Sequence, residues 1–225
     1  SKTSKSIQKV FLSSGLSVNL ETLETLPDFA TTSNYDLIIV NAVNDPSSGI
    51  TQSLVDFTSN GGTVLIIPDS VNNSSRAELL RTKLGFGEGK VWHKTNNPEP
   101  LKNIKFSHPL FNGVFLTPPN RMDMPVSDRC ISRKVTDDEE VLGSTSRGYP
   151  FLSRVAVGEG SAFLLSITLE QETGNFIKHA IFVPILLRLS EVARSAKAES
   201  ITLKSENKIF LNFEVEPNEI VQVRL

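Results

Sequence analysis

One cysteine, Cys130, in 225 residues excludes an internal disulfide and leaves stability to packing. One tryptophan and two tyrosines, Trp92, Tyr35 and Tyr149, are too few and too scattered to make a stacking platform for sugar rings. The three histidines, His93, His108 and His179, lie far apart, and none has a Cys, Asp or Glu at metal-ligand spacing. No metal and no cofactor is expected. Charge of one sign is also missing: 23 basic against 25 acidic residues, net -2, give no broad positive field to hold a phosphate backbone, so nucleic acid is not an expected partner. No apolar run approaches the ~20 residues needed to cross a bilayer, and no basic-then-apolar signal opens the chain. Direct membrane insertion of these residues is not expected. The opening Ser1-Lys2-Thr3-Ser4-Lys5 lacks an initiator Met and reads as the boundary of an excised piece.

What is present is a hydrophobic fraction of 39% with 21% charged residues, enough apolar surface to offset chain entropy. Ile7, Val10, Phe11 and Leu12 fall on a helical spacing that stops at Gly15, and Leu16, Val18 and Leu20 then alternate as in a strand. Tyr35 to Val40 is a near-continuous apolar run of strand length, expected to be central in a sheet and covered on both faces. Ser47 or Ser48 caps a helix carrying Ile50, Leu54, Val55 and Phe57, which Asn60-Gly61-Gly62 ends. Thr63 to Ile67 is a second buried strand stopped by Pro68, so residues 35 to 67 form one βαβ unit. Leu37, Ile39, Leu65 and Ile67 are expected in the core.

Ser74 or Ser75 caps a further helix through Ala77, Leu79, Leu80 and Leu84. Between Lys90 and Arg129, prolines at 98, 100, 109, 118, 119 and 125 predict only short strands and loops lying over the sheet. Three short strands follow, at Cys130 to Val135, Val141 to Ser144 and Phe151 to Val157, the last turning through Gly158-Glu159-Gly160 into Ser161 to Thr168. Phe176 to Ala193 is an apolar helix that either kinks at Pro184 or starts near Val183. Beyond Ala198 the pattern is β-only. The expected organisation is an α/β domain over residues 1–198 and a small C-terminal β appendage, or the start of a further β domain, over 199–225.

In an open α/β sheet the ligand crevice lies at the carboxyl ends of the strands, which selects Asn41, Asn44, Asp45, Asp69 and Ser70. Hydrolases of this architecture set a nucleophile on a glycine-bracketed elbow. The stretch here reads Ile67-Pro68-Asp69-Ser70-Val71 and has no flanking glycine. Ser70 as nucleophile is therefore disfavoured against a turn serine, Asp69 reads as a loop brace, and His179, early in an apolar helix, is the one histidine a hydrolase could recruit. Cys130, outside the βαβ unit, reads as a buried structural thiol. The run Asp137-Asp138-Glu139-Glu140 reads as a solvated turn. Gly61-Gly62 and Gly85-Phe86-Gly87 end helices or precede strands, so neither is a phosphate-binding fingerprint.

The run Tyr35 to Ile39, Ser48-Gly49-Ile50, and Phe57 with Asn60 to Pro68 resembles the class I glutamine amidotransferase-like domain of BatA-like (aerotolerance-type) membrane-anchored proteins of Bacteroidetes. His108 to Phe115, Asp123-Met124-Pro125, Tyr149 to Leu152, Gly158-Glu159-Gly160 and Asn175 to Pro184 add to the likeness, which spans residues 35 to 195. It implies a flavodoxin-like, class I glutamine amidotransferase-like three-layer sandwich on the periplasmic side of a membrane-anchored protein, partnered by other protein domains of that assembly. The amidotransferase cysteine would follow the strand Val64 to Ile67. Pro68-Asp69-Ser70 stands there, so glutaminase activity does not carry over, and the first strand of the fold is not evident before Ile7. Two functional readings follow: a non-catalytic binding or scaffold domain, or a hydrolase of an ester or amide using Ser70 or Asp69 with His179.

Overall fold

The computed structural model describes residues 2–17, 32, 34–69, 74–89, 91–111, 114 and 124–199. Of the β appendage expected over 199–225, Glu199 ends a helix and 200–225 lie outside the described residues, as do Ser70 and the strand pattern at Val18 and Leu20. Helix α1 (Lys2–Ser13) leads to strand β1 (Leu37–Asn41), helix α2 (Ser48–Ser59), strand β2 (Thr63–Ile67) and helix α3 (Ser75–Lys83). Strands β3 (Val91–Lys102), β4 (Val126–Ser132), β5 (Glu139–Thr145), β6 (Pro150–Val157) and β7 (Gly160–Leu165) follow, then helix α4 (Phe182–Glu199). The sheet order is β1-β2-β7-β6-β5-β3-β4. β1, β2 and β7 are parallel neighbours, and from β7 to β4 every pairing is antiparallel.

Alternation along β2 decides the layering. Leu65 and Ile67 join Ile7, Val10 and Phe11 of α1 and Ile185, Leu186 and Leu189 of α4 in one core. Val64 and Ile66 join Leu54 and Phe57 of α2 and Leu80 and Leu84 of α3 in the other. Side chains at i and i+2 share a face, so a continuously apolar strand feeds two helical layers at once. This is the α/β architecture expected, with helices on both faces of a mixed sheet.

Ser47 and Ser74 are the caps: their hydroxyls accept from Ile50 N at 3.2 Å and Ala77 N at 3.1 Å. α4 starts at Phe182, which puts Pro184 in the first turn, where the missing N–H has no helical acceptor to lose. The β6–β7 hairpin turns through Gly158 and Glu159, with Gly158 at φ 58°. A side chain on Gly158 would also meet the Ser59 carbonyl at 2.5 Å.

Four expectations need correcting. β1 is not central: among the described residues it pairs with β2 alone, and Leu37 and Ile39 are half-buried while Leu65 and Ile67 are buried. The apolar run reports two covered faces and says nothing of how many strands flank it. Leu79 faces outward at 46% exposure, because Ala77, Leu80 and Leu84 already make the buried stripe of α3. The proline-rich stretch holds a twelve-residue strand, β3, which accommodates Pro98 by bulging: 95–98 on β3 stand against Asp128 alone on β4, between the pairs Lys94 with Arg129 and Glu99 with Ser127. The acidic run is only half a solvated turn. Asp137 and Asp138 are exposed, but Glu139 is buried against Arg133 and Glu140 is half-buried.

Candidate functional site

The parallel strands end on a cleft of about 580 Å³. One wall is Asn41 and Ala42 at the tip of β1 with Pro68 and Asp69 at the tip of β2, and the facing wall is the segment after β7, from Thr168 to Glu172, with Ile177. Lys2, Thr3 and Ser6 of α1 close one end. Asn41 ties these parts together, its Nδ2 lying 2.9 Å from both Thr3 Oγ1 and Ser4 Oγ. Ala42 then turns into the left-handed region at φ 54° while its N–H donates to Ile67 O at 2.9 Å. An alanine there carries roughly 1 kcal/mol of backbone strain, and such outliers gather where a loop is shaped for a ligand. Pro68 is buried, offers no N–H and stops the β1–β2 ladder.

The facing segment is braced from within. Thr168 Oγ1 and Thr173 Oγ1 are 2.5 Å apart, and Thr173 meets the Glu170 carbonyl through its hydroxyl at 2.8 Å and its N–H at 3.1 Å. Thr168 and Leu169 are buried, and Gln171 and Glu172 are exposed. The cleft presents hydroxyl, amide and carboxylate groups, with Asp69, Glu170 and Glu172 against Lys2.

Of the residues selected from sequence, Asn41 and Asp69 share this cleft. Asn44 and Asp45 sit further along the β1–α2 loop: the Asn44 carbonyl accepts from Ser74 Oγ, and Asp45 forms an exposed pair with Arg76 at 3.0 Å, of a kind that contributes under about 1 kcal/mol. His179 follows the short 3₁₀ turn Phe176–Lys178, where its Nδ1 is 3.4 Å from Ile181 N; it is not among the residues lining the cleft. Cys130 is buried on β4, and burial pushes its thiol up to about 12, with Glu99 adding to the shift. No group of three or more His, Cys, Asp or Glu poised for a metal occurs among the described residues.

Lys2, Thr3, Ser6 and the segment Thr168 to Glu172 were not selected from sequence. The signal for the latter was available: the strand-end rule applies to β7 once its parallel pairing with β2 is known, and a hairpin partner reads as antiparallel. The α1 residues carry no motif and are recruited by packing alone.

Outside this cleft, one face of β5 and β6 carries a polar cluster. Glu140 pairs with Lys105, stands 3.6 Å from Nε2 of the buried His108 and 3.9 Å from Arg154 Nη1. Desolvation holds the His108 pKa below its ordinary value, with Glu140 opposing, and the hydrogen bond from Lys105 holds Glu140 below its own.

No family model and no curated protein matches the chain. Solved structures do. A cytoplasmic protein of Salmonella typhimurium superposes with a TM-score of 0.68 at 14% identity, over 83% of this chain and 85% of that one. A second cytoplasmic protein, from Salmonella typhimurium LT2, gives 0.68 at 10% identity over 84% and 86%. A ThuA-like protein from Bacteroides uniformis gives 0.60 at 14% over 85% and 82%. Identities this low carry the fold and nothing of activity. They overturn the resemblance to aerotolerance-type proteins: these neighbours, which match over most of both chains, are cytoplasmic and ThuA-like proteins, not BatA-like membrane proteins. The periplasmic placement rested on that resemblance and loses its support. Among the described residues no helix is long and apolar enough to cross a membrane.

Proposed function

We propose that this chain is a non-catalytic binding domain of the class I glutamine amidotransferase-like type, which holds a polar ligand in the cleft at the tips of β1, β2 and β7 and serves as a scaffold toward other protein domains. The observation that carries this reading is what occupies the tip of β2. Where a nucleophile elbow would project a thiol or hydroxyl between glycines, the chain runs through the buried Pro68, then Asp69, to Ser70 with no flanking glycine. The sole cysteine, on β4, is buried and not among the residues lining the cleft, and its thiol is held protonated far above neutral pH.

The hydrolase reading needs a base within hydrogen-bond reach of the nucleophile. His179 lies off the cleft lining and its Nδ1 faces the Ile181 N–H. Purified protein assayed against p-nitrophenyl esters, glutamine and simple amides should show no turnover above the uncatalysed rate. Turnover that Ser70→Ala or Asp69→Asn abolishes contradicts the proposal.

A further inference from the structure

A second cleft, of about 550 Å³, opens on the other side of the segment that walls the first. Gln171 and Glu172 line both, so one width of chain and two exposed side chains separate them. The divider is fixed in place. Asp128 N donates to Thr173 O at 2.7 Å, Asn175 N to Val126 O at 3.1 Å, and Val126 N to Asn175 Oδ1 at 2.8 Å. Gly174 sits so close to β4 that a Cβ on it would lie 2.4 Å from the Val126 carbonyl. The far wall is the β3 bulge, Thr95 to Pro98, in which the Thr95 hydroxyl lies 2.6 Å from Asn97 O and 3.2 Å from Asp128 O. Bulges of this kind re-aim side chains and recur beside binding sites.

Each volume alone suits a small ligand, since such sites span about 300 to 1,000 Å³. Two of them flanking a rigid shared ridge suit something longer. Among the described residues neither lining includes an aromatic ring of the kind that glycans and nucleobases stack on. The walls offer amide and hydroxyl groups, and four carboxylates, Asp69, Asp128, Glu170 and Glu172, against Lys2 and Lys94. Asp128 is partly neutralised by Arg129 at 3.2 Å, which leaves the ridge itself as the acidic stretch.

We propose that the two clefts form one groove, which takes an extended peptide segment of a partner protein across the ridge, with lysine or arginine side chains set beside Glu170 and Glu172. This rests on the strand-tip cleft being a binding site and goes further in naming the ligand class and its length. An extended chain advances about 3.3 Å per residue, so a segment of several residues reaches from one cleft to the other while its amides meet Asn, Gln and Thr side chains.

Fluorescence anisotropy at low salt with three dye-labelled probes tests this: a Ser-Lys decapeptide of alternating residues, the matching Ser-Glu decapeptide, and Ser-Lys-Ser. The expected result is that the Ser-Lys decapeptide binds at least tenfold more tightly than either of the others. Glu172→Gln should weaken it fivefold or more, and Asn96→Trp, at an exposed position that tolerates bulk, should bring it down to the tripeptide's level. Unchanged melting temperatures show that the variants fold. If no peptide binds, or the two decapeptides bind alike, the peptide groove is wrong. Decapeptide binding indifferent to Asn96→Trp but lost in Asn41→Ala refutes the continuous groove and leaves the strand-tip site standing. Binding indifferent to both refutes the site as well.

Discussion

Removing the Glu139 carboxylate should be among the most damaging single changes in the molecule. Its two oxygens face the guanidinium of Arg133, with Nη1 at 2.5 Å from Oε2 and Nη2 on Oε1, and neither side chain has any exposed surface. Arg133 Nη2 also lies 3.0 Å from Ser153 Oγ, and its guanidinium stands 5.5 Å from the Phe86 ring centroid. Glu139→Leu strands a buried cation, which costs about 3 to 5 kcal/mol, a large part of the roughly 5 to 15 kcal/mol that holds a domain together. Exchanging both partners differs, because it removes two desolvated charges together. Arg133→Met with Glu139→Leu leaves the fully buried Ser153 hydroxyl unpaired, a loss of about 1 to 3 kcal/mol, and removes a long 3.4 Å contact to the Lys134 carbonyl; adding Ser153→Ala removes the first. Urea denaturation of the single, double and triple variants should therefore show the single change as the worst and the triple close to the parent. If Glu139→Leu alone costs under about 1 kcal/mol, or the triple is as unstable as the single, the pair is not the buried and mutually dependent one described here.

Ile67→Ala, at a side chain 1% exposed, should cost about 2 to 5 kcal/mol, and Ile39→Ala, on the half-buried β1, clearly less; paired denaturation curves decide the order. Cys130 should resist thiol reagents at pH 8 until the protein unfolds. Its native pKa of about 12 exceeds the ordinary 9.0, so between those values the unfolded chain releases a proton the native state keeps, and stability should fall as pH rises through that window. His108 runs the opposite way: its folded pKa is depressed, so below pH 6.5 the unfolded chain binds the proton first and stability should drop with acid. His108→Gln should flatten that part of a pH–stability profile. Glu140, also depressed, should add its own loss below about pH 4.5.

The βαβ unit was readable because three local signals agree over residues 35 to 67: a two-faced apolar strand, a serine cap with Asn60-Gly61-Gly62 at the helix end, and Pro68 as a stop. The β6–β7 hairpin was readable too, but the parallel pairing of β7 with β2 was not. That pairing is set by long-range packing, and with it went half of the cleft wall. Glu139 and Glu140 show the same limit in charges: four adjacent carboxylates look alike in sequence, and only the alternation of β5 sends one onto Arg133 and the next beside His108. Asn41 and Asp69 were visible because strand ends are local features. The α1 residues facing them carry no motif.

The central claim, a ligand site at the strand tips that binds without turnover, is tested most directly by a ¹⁵N-resolved NMR titration with a panel of small polar compounds, amino acids and polyols among them. Ligands that bind should shift the amide signals of Asn41, Ala42, Asp69 and Gln171 together and remain chemically unchanged through the titration. Shifts gathered elsewhere on the protein, or conversion of the added compound into product, would contradict it.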